Sequence, residues 1–283
     1  MEETISTKKL NSKEEPEENE MSFWDHLEEL RKHIFRSLAA ILILAIVAFL
    51  NKHFIFDTII LAPKDSDFIT NRLLCQLGNY MSIESLCLGD AHMILQNISM
   101  SGQFMTHMYI SFVAGFIVAL PYVLWEFWRF IVPALRPEEI KHSKGFVAAG
   151  SFLFLTGVLF AYFILVPLTL NFFGNYHVSD QVANQIHLTS FISTVVSVTL
   201  SVGLVFELPI IVYFLTKIGI VTPDFLKKNR KIMFVIVLIL SAIITPPDIF
   251  SQVLVSIPLL LLYEMSIRIS KRVYKNREEE LAG

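Results

Sequence analysis

Acidic side chains are where this chain could do chemistry, and they fall in three settings. Glu28 and Glu29 sit just before the first long apolar run, Glu138 and Glu139 follow Pro137 between two others, and Glu207 lies inside one. Carboxylates of the first kind pair with Lys32 and His33 one helical turn on, worth a few tenths of a kcal/mol each, or else offer an anionic surface to a cationic ligand. Those after Pro137 fall in the first turn of a predicted helix, where they complement its dipole. Glu207 is the costly one. It lies about ten residues before Lys217, near mid-bilayer, where a carboxylate costs on the order of 2.5–3.5 kcal/mol. It is therefore expected to be protonated or turned toward a polar cavity, with Gly203 one turn earlier admitting a close neighbour and Pro209 freeing a carbonyl. No G-x-S-x-G, H-E-x-x-H, Walker or dinucleotide fingerprint is present. His107 and Ser111 invite a hydrolase reading, yet they read better as polar contacts near one end of a kinked span. The eight histidines show no ligand-like pairing, so neither an enzyme, a metal site nor a cofactor is expected.

The first acids belong to the stretch Ser22–Arg36. Phe23, Leu27, Leu30 and Ile34 recur at intervals of four, three and four, one face of a helix. Ser22 with Asp25 three residues on is a helix-start signature, and Trp24 and Phe35 suit headgroup-level anchors. The expectation is an amphipathic helix along the membrane surface that runs directly into a span.

The rest of the 283 residues is 54% hydrophobic, with 24 Phe, too apolar for a soluble globule. Apolar runs fall near 34–56, 103–132, 146–173, 191–216, 232–245 and 249–267, and predict an all-α polytopic membrane protein with six spans. Of 23 Lys and Arg, only Lys52, Lys64 and Arg72 fall in the three loops of the other side. The positive-inside rule thus puts both termini in the cytoplasm. Residues 1–21, acidic and without a signal-peptide pattern, read as a disordered cytosolic tail. Residues 22–272 form the membrane domain, and 273–283 a second charged tail.

Between the first two spans lies an external segment of about residues 57–102 that holds both cysteines, Cys75 and Cys87. An oxidising outer compartment would let them bridge; two unrelated buried thiols are the other reading. Pro121 should kink the second span, which ends with Trp125 and Trp128 as anchors and Glu126 with Arg129 as an ordinary surface pair. The fifth run has 14 residues, about 21 Å against a core of ~30 Å. The sixth is broken by Pro258, and Pro246–Pro247 turn the chain between them. Thr245 and Gln252 near that turn leave polar groups for a partner, while Glu264 pairs with Arg268.

Several strings together resemble the TatC family, the large subunits of the twin-arginine protein translocase. They are HLEELRK at 26–32, LAP at 61–63, LPYVLWEFWRFIVPAL at 120–135, FELP at 206–209, TPPDIFSQ at 245–252 and IP at 257–258. The match covers about residues 22–275. The resemblance implies six helices with the last two short, a concave open face, and a receptor for signal peptides with consecutive arginines on folded cargo. It would work in the inner membrane of a bacterium, driven by the proton gradient, with single-span TatA/TatB-type subunits, lipid and further copies of itself as partners, and no nucleic acid. Residue by residue it implies peptide binding by Glu29, Arg31, Phe130, Leu135 and Glu139, an intramembrane acid at Glu207, and partner contacts at Thr245, Asp248 and Gln252. A planar guanidinium offers carboxylates a fork that lysine lacks. The chain departs from the pattern at His33, where an arginine is common, at Glu126, where a glutamine is usual, and in a longer stretch from Pro63 to Phe104. A proton-coupled transporter of a small solute using Glu207 is the alternative. The cytosolic acids Glu29 and Glu139 and the undersized helices favour the receptor.

Overall fold

The computed structural model describes residues 23–65, 67–81, 94–134, 145–176, 179, 185–245 and 249–282. The first helix, α1 (Phe23–Leu50), carries the polar stretch and the first span as one uninterrupted helix. The amphipathic turns are thus the extension of the span itself. A π-helical turn (Phe54–Ile60) and a 3₁₀ turn (Ala62–Lys64) lead to α2 (Ile69–Met81). Next come β1 (Ile94–Gln96) and α3 (Gly102–Ile131), which continues through Pro121.

The third span is α4 (Phe146–Phe160), a π-helical turn (Ala161–Leu165) and α5 (Val166–Asn175). Here Pro167 has no amide proton to give the Phe163 carbonyl four residues back. The Thr70 hydroxyl donates to that carbonyl instead, and Tyr162 Oη donates to Ile59 O at 2.7 Å. Both bonds fasten the segment after the first span onto the third. Thr70→Val keeps the shape and removes the donor, so it is expected to lower stability by about 1 kcal/mol. A thermal melt in detergent checks this, and an unchanged Tm would contradict it.

β2 (Gln185–His187) pairs in parallel with β1, Ile94 opposite Gln185 and Gln96 opposite His187. This small sheet qualifies the all-α expectation. Three residues are too few for alternation to show in sequence. The fourth span, read as one run, divides into α6 (Leu188–Val205) and α7 (Leu208–Lys217), with Phe206 and Glu207 at the break.

Helix α7 ends in a Schellman motif. Ile220 N–H reaches Leu215 O at 2.9 Å and Gly219 N–H reaches Thr216 O at 3.0 Å, with Gly219 at φ 83°, a backbone that favours glycine. Thr222 then caps α8 (Pro223–Lys228), its Oγ1 accepting from Phe225 N–H. α9 (Arg230–Ile244) has 15 residues, so about 22 Å, the short span foreseen. α10 (Ile249–Ala282) is continuous through Pro258, contrary to the expected break, and extends to Ala282. Glu264 pairs with Arg230 at 2.8 Å rather than with Arg268. Arg230 and Glu264 bring α9 onto α10, a contact between elements that i,i+4 spacing does not reveal.

Among the described residues five helical stretches are long and apolar enough to cross a membrane: 26–50, 102–131, 146–175, 188–217 and 252–275; α9 is a further, shorter apolar helix. The core runs through Ile110, Leu165, Ile192, Val202, Val255 and Leu259. Much of the remaining apolar surface points outward, Ile43 at 61% and Ile243 at 74% exposure among it, the pattern of helices solvated by lipid tails. α1 and α3 approach closely where Gly115 lies against the Ala45 backbone. A concave groove of about 550 Å³ opens between α1, α3, α4 and α6, lined by Leu44, Val47, Ile110, Val113, Tyr162 and Val196.

Candidate functional site

On α1 Glu29 shares a stripe with His26 and His33, whereas Arg31, two residues further on, lies off it. Glu29 is three residues after His26 and four before His33, so the three lie on one helical face. That face meets the end of α3. His26 stacks on Phe130 with ring centroids 4.4 Å apart and planes at 23°, and His33 meets the same ring edge-on at 6.2 Å. Glu29 and Phe130 are half-buried, and Arg31 is exposed. Glu28 pairs with Lys32 at 3.3 Å, both more than half exposed, a contact of small energy. Glu29 therefore sits on the helix face that α1 turns toward Phe130, between two rings that flank that phenylalanine.

Glu126 departs most from expectation. It is 1% exposed, and it is no ordinary surface pair with Arg129. Its Oε2 lies 2.5 Å from His33 Nδ1, and its Oε1 accepts from Tyr122 Oη at 2.8 Å and has Arg129 Nη1 at 3.6 Å. Arg129 also lies over the Trp125 ring, 4.9 Å from its centroid. Since His33 turns to Glu126, it does not serve Glu29 as an i,i+4 partner. Sequence reasoning marked His33 and Glu126 separately as departures and missed that they touch. Their coincidence in one chain was the available signal.

At the break in the fourth span, Glu207 is 8% exposed and neither carboxylate oxygen has a hydrogen-bond partner among the described residues. A Cβ on Gly150 would come within 3.3 Å of its Oε2, so the carboxyl lies over that glycine of α4. Gly203 and Gly157 face each other across the same interface, which is the close approach that Gly203 foretold. Thr245 is buried and donates to Ser241 O at 2.7 Å, while Gln252 Nε2 donates to Leu238 O at 3.1 Å. The first bond closes the end of α9, and the second ties α10 to α9. Leu135, Glu139, Asp248 and Cys87 lie outside the described residues. Cys75 is on α2 and is disulfide-bonded. His107 stacks on Phe49 at 4.0 Å, and among the described residues neither its Nε2 nor Ser111 Oγ has a hydrogen-bond partner, so these two do not pair as nucleophile and base. Among the described residues no group of His, Cys, Asp and Glu could hold a metal ion.

Residues 25–258 match the family model described as Sec-independent protein translocase protein (TatC). The chain belongs to the TatC family. It is 45% identical over 263 residues to the Sec-independent protein translocase protein TatC of Blattabacterium sp. subsp. Periplaneta americana, covering 92% of this chain and 99% of that one. TatC of Campylobacter jejuni is 33% identical over 88% of this chain and 93% of its own length. A crystal structure described as the twin arginine translocase receptor TatC superposes with a TM-score of 0.63 at 33% identity, covering 88% of this chain and all but 1% of the other. The chain is thus a multi-pass membrane protein of a protein-translocase family, and its helical fold is that of the solved TatC.

Proposed function

We propose that this protein is the signal-peptide receptor and core scaffold of a translocase that exports folded proteins across the cytoplasmic membrane of a bacterium. The observation that carries the reading is the α1–α3 end. Glu29 lies on the helix face that meets Phe130, and both residues remain partly accessible. The solved relatives described as the twin arginine translocase receptor TatC support it. Both termini and the α1–α3 end face the cytosol. Glu29 and Glu139 take the guanidinium groups of a twin-arginine peptide while Phe130 and Leu135 meet its apolar side chains, and Arg31 shapes the rim. The peptide's apolar segment follows the concave groove.

Single-span TatA/TatB-type subunits dock beside the short helix α9, where mismatch with the bilayer favours a partner. Gln252 and Asp248 supply contacts there, and buried Thr245 closes the end of α9. The proton gradient drives transport with Glu207 as the intramembrane acid. On the outer side Cys75 and Cys87 form the bridge. Mass spectrometry without reductant is expected to find one linked peptide pair, and two free thiols would end that assignment.

The test of the receptor reading is a photo-crosslinker in place of Leu27, exposed on α1, in the full chain in membrane vesicles. A peptide with adjacent arginines is expected to be captured there. Capture of nothing, together with solute uptake by this chain alone in liposomes, would favour the transporter instead.

A further inference from the structure

We propose that His33 and Glu126 act as one positioning unit, which fixes the polar start of α1, and Glu29 with it, against Phe130. The inference rests on the receptor reading for its binding arm only. Below this end the α1–α3 contact is apolar and small-sided, Gly115 against Ala45, a surface with no directional preference of its own. Turning α1 by a single residue position, about 100°, would carry Glu29 away from the α3 face. A directional bond between the helices opposes that rotation.

The His33–Glu126 contact has the attributes of such a bond. Its Nδ1–Oε2 separation is 2.5 Å, and the two side chains are 8% and 1% exposed. It is one turn beyond Glu29 on α1 and one turn before Phe130 on α3. The other Glu126 oxygen is engaged by Tyr122 and Arg129, so the carboxylate is committed within the protein and has no free edge for a peptide. The His33 ring meets Phe130 edge-on as well, so one imidazole touches both the carboxylate and the recognition ring. Removing either partner leaves the other buried without its counterpart. Neither residue touches the peptide in this assignment; they act through Glu29 and Phe130.

The experiment uses the full chain in nanodiscs with spin labels on cysteines in place of Leu27 and Phe127, which are exposed on α1 and α3. Interlabel distances are compared with binding of a synthetic signal peptide carrying adjacent arginines. Wild type is expected to give a narrow distance distribution. H33A and E126A are each expected to broaden it and to weaken peptide binding about tenfold. The double variant H33A/E126A should lose no more than either single one, because the pair acts as a unit. H33Q/E126Q, which keeps a hydrogen bond without charge, is expected to restore both readouts to within about twofold of wild type. Narrow distances with unchanged affinity in H33A, or losses that add in the double variant, overturn the proposal. If the single variants do not fold, H33Q/E126Q decides: it binds as wild type does or the positioning unit is refuted. A wild type that holds no such peptide, while distances still broaden in H33A and E126A, removes the receptor reading and supports the positioning unit.

Discussion

Glu29→Ala is expected to reduce binding of a twin-arginine signal peptide roughly thirtyfold, the ratio carried by about 2 kcal/mol. Glu29 is half-buried on the α1 face that meets Phe130, so a guanidinium docked there is partly desolvated and its charge-assisted bonds are stronger than on an open surface. Glu139→Ala is expected to cost a similar factor. Glu207→Ala should leave this first contact unchanged, because its carboxyl lies over Gly150 at the α6–α7 break and not at the α1–α3 end. The check is a titration of fluorescent peptide into each variant in nanodiscs. Equal losses for Glu29→Ala and Glu207→Ala would contradict the division of roles.

Gly115→Leu is expected to be the most damaging packing change. A Cβ at Gly115 would stand 2.5 Å from Ala45 N and 2.8 Å from its Cα. These are backbone atoms and cannot rotate aside, so α1 and α3 must part. Overpacking of this kind typically costs 1–3 kcal/mol, and a leucine should reach about 3 kcal/mol because its first carbon already meets backbone. The separation also pulls His33 from Glu126, so peptide affinity should fall with stability. A thermal melt in detergent measures the first effect and the peptide titration the second. A Tm within error of wild type would refute the close approach.

What could be read from the sequence follows from how local each cause is. The first span, the short α9 and the buried acid at 207 were legible because a run of apolar side chains, its length and a single carboxylate within it are properties of one segment. Glu264 was assigned to Arg268 because i,i+4 spacing is visible along a helix, whereas the Arg230 contact depends on how α9 lies against α10. The same holds for Glu126, whose buried partner is 93 residues away on α1. Pro258 was read as a break from its lost amide alone, and the helix continues past it, as happens in spans whose neighbours satisfy the freed carbonyl. The division of the fourth span at Phe206 and Glu207 was marked in sequence by one charged residue, too short an interruption to tell a break from a buried acid in a continuous helix. The groups at the recognition end were named by the family motifs. The placing of Glu29 between His26 and His33, on the α1 stripe that meets Phe130, came from the packing.

Competition between two leader peptides that differ only in an arginine pair or a lysine pair tests the central claim most directly. Carboxylates that grip planar guanidinium groups predict that the arginine peptide displaces the lysine peptide at a concentration at least about tenfold lower, and that Glu29→Ala erases the difference. Equal competition by the two peptides in the wild-type protein would contradict it.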